Sequence, residues 1–210
     1  MKITIVGASG NIGRRITQEA ASRGHELNLI TSKDKDFFGL DNVQLFKADA
    51  FKEEEMSSIF KGSDVVISSY APPHDNTDLV IDASKHLISA AKKAGVKLVA
   101  VGGAGSLKVN ETTQLVDTAD FPQDYKAIAL SHRTALEEVY LNEKELEWTN
   151  VSPSAYIFEG ERTNNFRIGE DNLLVDAEGN SSISMEDFAV GILDEVENPK
   201  FIQKRFTIGY

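Results

Sequence analysis

The chain has no cysteine among its 210 residues. That absence excludes disulfide bonds, thiolate nucleophiles and zinc–thiolate centres, and it fits a reducing compartment. Basic residues are outnumbered, since 22 lysines and arginines stand against 33 aspartates and glutamates, for a net charge of −11 at pH 7. Because nucleic-acid binding needs basic patches against the phosphates, we expect no nucleic-acid partner.

Long apolar runs are missing as well. No stretch approaches the ~20 residues that span a bilayer, so we expect no membrane partner. The first residues enter an apolar strand pattern directly and have no signal-peptide shape. These features predict a cytoplasmic protein, and the length predicts a single domain over residues 1–210 with residues 153–183 forming a small cap on the substrate side.

Strand and helix patterns alternate along the chain, which predicts an α/β fold with a doubly wound, mostly parallel sheet. The predicted strands are residues 3–6, 26–30, 43–46, 65–67, 98–101, 147–151, 173–175 and 205–208. The predicted helices are a first helix closed at residues 23–24 and helices at residues 52–60, 76–94, 123–142 and from 184 onward. Residues 108–122 are predicted to be a loop that could close over a site, and Ser184 with Asp187 resembles a capping box.

A glycine-rich turn links the first strand to the first helix. Residues 7–13 read Gly-Ala-Ser-Gly-Asn-Ile-Gly, with a glycine at every third position. Gly7 permits the tight turn, Gly10 leaves room for a pyrophosphate, and Gly13 lets the helix pack closely on the sheet. The predicted pyrophosphate cradle consists of Gly7, Ala8, Ser9, Gly10, Asn11, Ile12 and Gly13. A structural turn without a ligand is the alternative.

The end of the second strand bears on which dinucleotide binds. An NAD enzyme places an acidic residue there against the ribose 2′-hydroxyl, but this chain has Ser32 and Lys33. Together with Arg14 they could receive a 2′-phosphate, so we predict that NADP(H) is favoured over NAD(H). In the alternative, Lys33 and Arg14 are merely solvated cations.

Other strand ends supply further candidates for the cofactor site. Asp49 could accept a hydrogen bond from the adenine amino group, although it could equally cap the next helix. Small residues after the fifth strand could let the nicotinamide approach the backbone. The remaining predicted cofactor residues are Asp49, Ala50, Ser69, Tyr70, Ala71, Gly102 and Gly103.

The substrate side is predicted from residues that follow the fifth and sixth strands. The candidates are Ser106, Pro153, Ser154 and Tyr156. Arg162 and Arg167 could reach an acidic acceptor such as a flavin phosphate, or they are exposed solubilising charges. The histidines show no metal-ligand spacing with carboxylates, so we predict no metal site.

Six segments in order carry a family resemblance. Besides the glycine turn they are Val-Gly-Gly-Ala-Gly-Ser-Leu at 101–107, Trp-Thr-Asn-Val-Ser-Pro-Ser at 148–154, Phe-Glu-Gly-Glu-Arg-Thr at 158–163, Gly-Glu-Asp-Asn-Leu-Leu-Val at 169–175 and Ile-Ser-Met-Glu-Asp-Phe-Ala at 183–189. Together they resemble bacterial NADH-flavin reductases, which are atypical short-chain dehydrogenase/reductases similar to biliverdin reductase B and the NmrA-like proteins. The resemblance implies a Rossmann-like domain, a nicotinamide dinucleotide in the glycine turn and a flavin- or quinone-like acceptor beside the nicotinamide.

The chain departs from the short-chain dehydrogenases that act on alcohols or ketones. Those enzymes carry Tyr-x-x-x-Lys on the helix after the fifth strand, but here Tyr125 is followed four residues later by Ala129. Tyr140 and Lys144 match the spacing at the far end of the helix, and His132 is a lone candidate acid. Biliverdin reductase B has a histidine near the position of Ala155, so that acid is also missing.

The sequence therefore favours an NAD(P)H-dependent oxidoreductase that passes hydride to a planar acceptor without a Tyr–Lys pair. Because the cofactor carries the chemistry, such a reaction needs no catalytic pair from the protein. The alternatives are a non-catalytic redox sensor of the NmrA-like kind and, less favoured, a sugar-nucleotide epimerase.

Overall fold

The computed structural model describes residues 1–32 and 39–210. The strands in this part of the chain are β1 (Lys2–Val6), β2 (Glu26–Thr31), β3 (Val43–Lys47), β4 (Val65–Ser68), β5 (Lys97–Val101), β6 (Trp148–Ser152), β7 (Tyr156–Phe158), β8 (Arg167–Gly169), β9 (Ser182–Ser184) and β10 (Lys204–Gly209). The helices are α1 (Asn11–Ser22), α2 (Glu53–Phe60), α3 (Leu79–Ala94), α4 (Gln123–Thr134) and α5 (Met185–Glu197). A 3₁₀ turn spans Leu115–Asp117, and a π-helical segment, Ala135–Tyr140, continues α4.

Eight strands form the main sheet in the order β3-β2-β1-β4-β5-β6-β10-β8. All neighbours are parallel except β8, which runs antiparallel to β10. The chain moves outward from β1 through β2 and β3, then returns to pair β4 with the other side of β1. This order is the doubly wound, Rossmann-like arrangement, and it confirms the predicted fold class.

Apolar side chains cover both faces of the sheet. One layer joins Ile5 of β1 to Phe188 of α5, and the other joins Phe60 of α2 to Trp148 of β6. Burial on two faces explains why the parallel strands read as nearly continuous apolar runs. In residues 1–32 and 39–210, no helix is long and apolar enough to cross a membrane.

The C-terminal third differs from the prediction. Residues 173–175 form no strand, so that prediction is wrong: Leu174 packs its side chain against Gly169 and Gly209 at the edge of the sheet. The short strands β7 and β9 instead pair with each other, and β8 extends the main sheet.

Two further expectations concern a loop and a cap. The loop at residues 108–122 is tied to the rest of the protein, since Lys108 exchanges backbone hydrogen bonds of 2.8 Å with Asp171 and Leu173. Arg133 also pairs with Asp117 in that loop at 2.9 Å. Of the predicted capping box, the N-cap half is present, because the Ser184 hydroxyl accepts a hydrogen bond from the Asp187 N–H at 3.0 Å. The reciprocal half is not, since the Ser184 N–H donates to the Tyr210 hydroxyl instead.

Candidate functional site

The order of the sheet reverses between β1 and β4, and the loops that follow these strands lie side by side. Ser69 binds back to the end of β1, since its backbone N–H and its hydroxyl donate to the Val6 carbonyl at 2.9 and 3.0 Å. In open parallel sheets, ligands bind in the crevice beyond the carboxyl ends of the strands at such a reversal.

Gly7 and Gly13 are required by the packing of this edge. Gly7 has a φ of +76°, and a Cβ there would lie 2.6 Å from the Ser69 carbonyl oxygen. At Gly13, a Cβ would lie 2.2 Å from the Gly7 carbonyl oxygen and 2.7 Å from the Ser69 hydroxyl. The first glycine therefore makes the turn, and the third lets α1 approach β1 and β4 closely.

Gly10 has a different environment. A Cβ there would meet only the Gly7 carbonyl oxygen, at 3.4 Å, which is ordinary contact. Gly10 is the N-cap of α1, no side chain caps the helix, and its first turn holds no acidic residue. The N–H groups of that turn are thus left to an external acceptor, and the helix dipole favours an anion. The cradle fits a pyrophosphate.

Two of the residues predicted to hold the ribose 2′-phosphate, Ser32 and Arg14, lie at the end of β2 and in α1. Ser32 is exposed at the end of β2. Arg14 is exposed in the first turns of α1, and its Nε donates to the Ser9 carbonyl oxygen at 3.2 Å, which keeps the guanidinium beside the glycine turn. Lys33, the other predicted partner of a 2′-phosphate, lies outside the described residues.

Residues after β3 and β4 meet at one side of this cradle. Asp49 is exposed, and its Oδ1 accepts a hydrogen bond from the Phe51 N–H at 3.0 Å in a local turn, but it does not cap α2, whose N-cap residue is Lys52. Tyr70 is half-buried, and burial together with the nearby Asp49 carboxylate raises the pKa of its phenol. Phe51 meets the Tyr70 ring edge-on at 5.8 Å, a contact that sequence reasoning missed. Ala50 is buried and Ala71 exposed.

The glycines after β5 have partners inside the protein. A Cβ at Gly102 would lie 2.2 Å from the Asn150 side-chain oxygen, and one at Gly103 would lie 2.9 Å from the Cβ of His132. Glycine is therefore needed at both positions for the approach of β6 and α4. Asn150 is buried, and its Oδ1 has no hydrogen-bond partner among the described residues.

Asn150 and His132 both line a small pocket between the sheet and α3 and α4. Burial lowers the pKa of His132 to about 4, so its ring is uncharged at neutral pH. Tyr140 lines the same pocket, and burial raises the pKa of its phenol to about 12 despite a hydrogen bond with Ser84. Neither group is tuned to release a proton near pH 7.

The predicted substrate residues fall into two groups. Ser106 is buried and accepts a hydrogen bond from Arg205 at 3.2 Å, while the buried Ser154 donates to the Ile208 carbonyl oxygen at 3.0 Å. Pro153 is buried as well. Tyr156, in contrast, is 65% exposed. Of these four side chains, only that of Tyr156 is presented to solvent.

Neither Tyr125 nor Tyr140 forms the Tyr–Lys pair of the short-chain dehydrogenases. Tyr125 is 64% exposed on α4, and Ala129 is packed where its lysine partner would stand. Tyr140 is buried next to Ser84, whereas the Lys144 ammonium donates to the Leu141 carbonyl oxygen at 2.5 Å.

The two arginines after β6 are engaged within the protein. Arg162 forms a bidentate pair with Glu19 of α1, at 2.7 and 2.9 Å, which holds the pKa of that carboxyl below its usual value. Arg167 donates to the carbonyl oxygens of Val175 and Tyr210. Across residues 1–32 and 39–210, no group of three His, Asp or Glu side chains is placed to hold a metal ion.

Comparison with known proteins identifies the family to which this glycine turn belongs. Residues 7–199 match the NAD(P)H-binding family. The chain belongs to that family. It therefore has an NAD(P)H-binding, oxidoreductase-like fold, and its cofactor is a nicotinamide dinucleotide, as the sequence predicts.

Three solved structures are similar to this chain over its whole length. A candidate exported protein from Burkholderia pseudomallei is 42% identical, with a TM-score of 0.90 and full coverage of both chains. A candidate epimerase from Bacteroides thetaiotaomicron is 37% identical, with a TM-score of 0.94 over 100% of this chain and 96% of that one. A candidate NADH-flavin reductase from Streptococcus pneumoniae is 30% identical, with a TM-score of 0.91 over 100% and 99% of the two chains. The family resemblance drawn from the sequence is confirmed.

Proposed function

We propose that this NAD(P)H-binding protein is a reductase that passes hydride to a flavin, a quinone or a similar planar acceptor and favours NADPH over NADH. Two observations carry the proposal together. The start of α1 has no side-chain cap and can accept an anion. In the pocket between the sheet and α3 and α4, neither His132 nor Tyr140 has a pKa near 7 that would suit a proton donor. Likeness to the candidate NADH-flavin reductase supports the class of acceptor.

The residues of the chain would bind and orient the cofactor. The N–H groups at the start of α1 receive the pyrophosphate, and Arg14 with Ser32 and Lys33 receives the 2′-phosphate. When bound, the reduced dinucleotide supplies a hydride from its nicotinamide ring. In the balanced reaction, NADPH, one proton and the oxidised acceptor give NADP⁺ and the two-electron-reduced acceptor. The protein contributes positioning.

The proton of this reaction would come from water. His132 is uncharged at neutral pH, Tyr140 has a pKa of about 12, and Tyr125 lacks a lysine partner. A conjugated acceptor spreads the incoming negative charge over its ring, so it can take its proton from solvent. A simple ketone concentrates the charge on one oxygen and needs a donor, so ketones should not turn over.

Turnover with purified protein tests the proposal. We expect the absorbance of NADPH to fall when riboflavin or a quinone is added, and to stay constant with a panel of ketones. A positioned general acid contributes about 10²–10⁴-fold to a rate, so Tyr125→Phe should lower riboflavin turnover by less than about tenfold. A thousandfold loss in that variant, or brisk ketone reduction by the native protein, would contradict the proposal.

The lack of a Tyr–Lys pair also fits a second function, a non-catalytic sensor that binds the dinucleotide and reports its redox state to a protein partner. The same assay separates the two. If calorimetry shows that NADPH binds but neither riboflavin nor any quinone is reduced, the sensor is favoured. Reduction of an acceptor favours the enzyme.

A further inference from the structure

Two aromatic rings lie on the outer face of β7. Side chains alternate along this strand, so Ile157 packs against the apolar core while Tyr156 and Phe158 share the other face. Their rings stack with centroids 5.4 Å apart and planes inclined by 14°. Tyr156 nevertheless remains 65% exposed, because Phe158 covers only one of its two faces. The pair, called here the Tyr156–Phe158 stack, leaves a flat aromatic surface open to solvent.

The Tyr156–Phe158 stack is held in place from both sides. β7 pairs with β9 over all three of its residues, and Gly160 lies so close to Phe158 that an added Cβ would be 2.8 Å from its ring. The next residue, Glu159, forms an ion pair with Arg15 at 2.8 Å. A surface fixed in this way loses little conformational freedom when a ligand binds to it.

These contacts also locate the stack. β7 begins four residues after the carboxyl end of β6, on the edge of the sheet where the glycine turn lies. Arg15 belongs to α1, one turn beyond Gly10. The ion pair with Glu159 therefore ties the stack to the helix that presents the pyrophosphate cradle.

We infer that the open face of Tyr156 is the surface on which the planar acceptor stacks, an assignment that rests on the proposed reductase function. Unlike a singly exposed side chain such as Tyr125, two stacked rings form a contiguous apolar surface of the kind that marks ligand-binding sites, and offset stacking is a preferred contact between a tyrosine ring and a conjugated ring. The stack thus selects flat, conjugated acceptors. Ser106 and Ser154, whose hydroxyls are bonded within the protein, take no part in this selection.

The test measures acceptor binding separately from turnover. Riboflavin, which has no phosphate, is titrated into the NADP⁺-loaded protein, and quenching of its fluorescence gives the Kd. An aromatic stacking contact is worth about fivefold to tenfold in affinity, so Tyr156→Ala should raise the Kd of riboflavin by that factor. Tyr156→Phe keeps the ring and should stay within about twofold. The Kd of NADP⁺ should be the same in all variants.

A matched control is Tyr125→Ala, which removes an equally exposed tyrosine from α4 and should leave riboflavin binding unchanged. An unchanged Kd for riboflavin in Tyr156→Ala, an equal loss in Tyr125→Ala, or failure of the native protein to bind riboflavin would each overturn the inference. If Tyr156→Ala binds riboflavin normally while the native protein reduces it, the stack is refuted and the reductase function stands. If no acceptor turns over, the reductase function fails, and the titration still decides the binding site.

Discussion

The helices α1 and α5 pack side by side, yet their N-termini are built in opposite ways. At α5, Ser184 caps the Asp187 N–H, and the first turn carries Glu186 and Asp187. Asp187 in turn accepts hydrogen bonds from the backbone N–H groups of Thr163 and Asn164 at 2.8 and 2.9 Å. At α5, therefore, the Asp187 N–H has a side-chain partner within the protein, and the Asp187 carboxylate binds the backbone of the loop after β7.

At α1 the corresponding positions carry neither a capping side chain nor an acidic residue. Gly10 stands at the N-cap, no side chain bonds the first turn, and no acid lies in it. Capping a helix is worth about 1 kcal/mol of stability, so the α1 terminus forgoes a contribution that α5 retains. One helix end is therefore capped by a side chain of the protein, whereas the other has no side-chain cap, which is what the proposed pyrophosphate site requires.

The largest expected effect comes from closing the open terminus. Gly10→Val places a branched side chain where the phosphates approach, although a Cβ at this position clashes with nothing. Each hydrogen bond to a phosphate contributes about 1.5–3 kcal/mol, so losing two should weaken NADPH binding by more than about a hundredfold. Calorimetry measures the affinity and thermal unfolding checks the fold. Unchanged affinity would refute the placement of the pyrophosphate.

The next effect concerns the cations predicted to receive the 2′-phosphate. With a 2′-phosphate partner at Lys33 or Arg14, NADPH should bind about tenfold more tightly than NADH. Because Arg14 is exposed and screened by solvent, Arg14→Ala should weaken NADPH binding by only about threefold to tenfold and leave NADH binding unchanged. Titration of both reduced cofactors decides this. Tighter binding of NADH by the native protein would contradict the predicted preference.

Opening the closed terminus should affect stability alone. Ser184→Ala removes the cap of α5 together with the bonds of the same hydroxyl to the Glu161 carbonyl oxygen and the Tyr210 hydroxyl. It should therefore lower the free energy of unfolding by at least about 1 kcal/mol, which is about 2–4 °C in Tm for a chain of this size. NADPH affinity should not change. Ser58→Ala, at an exposed position of α2, is the matched control and should leave Tm unchanged or raise it slightly, because alanine favours a helix more than serine does. Loss of NADPH binding in Ser184→Ala would mean that the two termini are not separate in function.

The smallest expected effect is a substitution that raises stability while it lowers NADPH affinity. Asn11→Asp gives α1 an acidic first turn like that of α5, and an acid at this position adds about 0.3–1 kcal/mol to helix stability. The same charge repels the pyrophosphate, so NADPH affinity should fall by about twofold to fivefold, and by less at high salt. Gln18→Asp, further along α1, is the control for added charge. A gain in both stability and NADPH affinity in Asn11→Asp would contradict the placement of the pyrophosphate at the start of α1.

Much of this site follows from local pattern. The glycine spacing and the strand–helix–strand pattern predict β1, α1 and β2, because both signals lie within about 30 residues. The Ser184 cap is likewise a three-residue signal. The strands β7, β8 and β9 were missed because each has three residues and is stabilised by distant pairing, as in Tyr156 with Ser182. The bond from Arg162 to Glu19 spans 143 positions, and no sequence pattern marks it.

The most direct test of the open and closed termini is to follow backbone amide resonances by NMR while NADP⁺ is titrated into the ¹⁵N-labelled protein. The amides of Asn11, Ile12 and Gly13 should shift on binding, because they are expected to donate to the pyrophosphate, whereas the Gly10 N–H already donates to the Gly7 carbonyl oxygen at 3.0 Å. The amide of Asp187 should keep its position, since the Ser184 hydroxyl already accepts its hydrogen bond. Shifts confined to the start of α5, or an unperturbed start of α1 at saturating NADP⁺, would contradict the account.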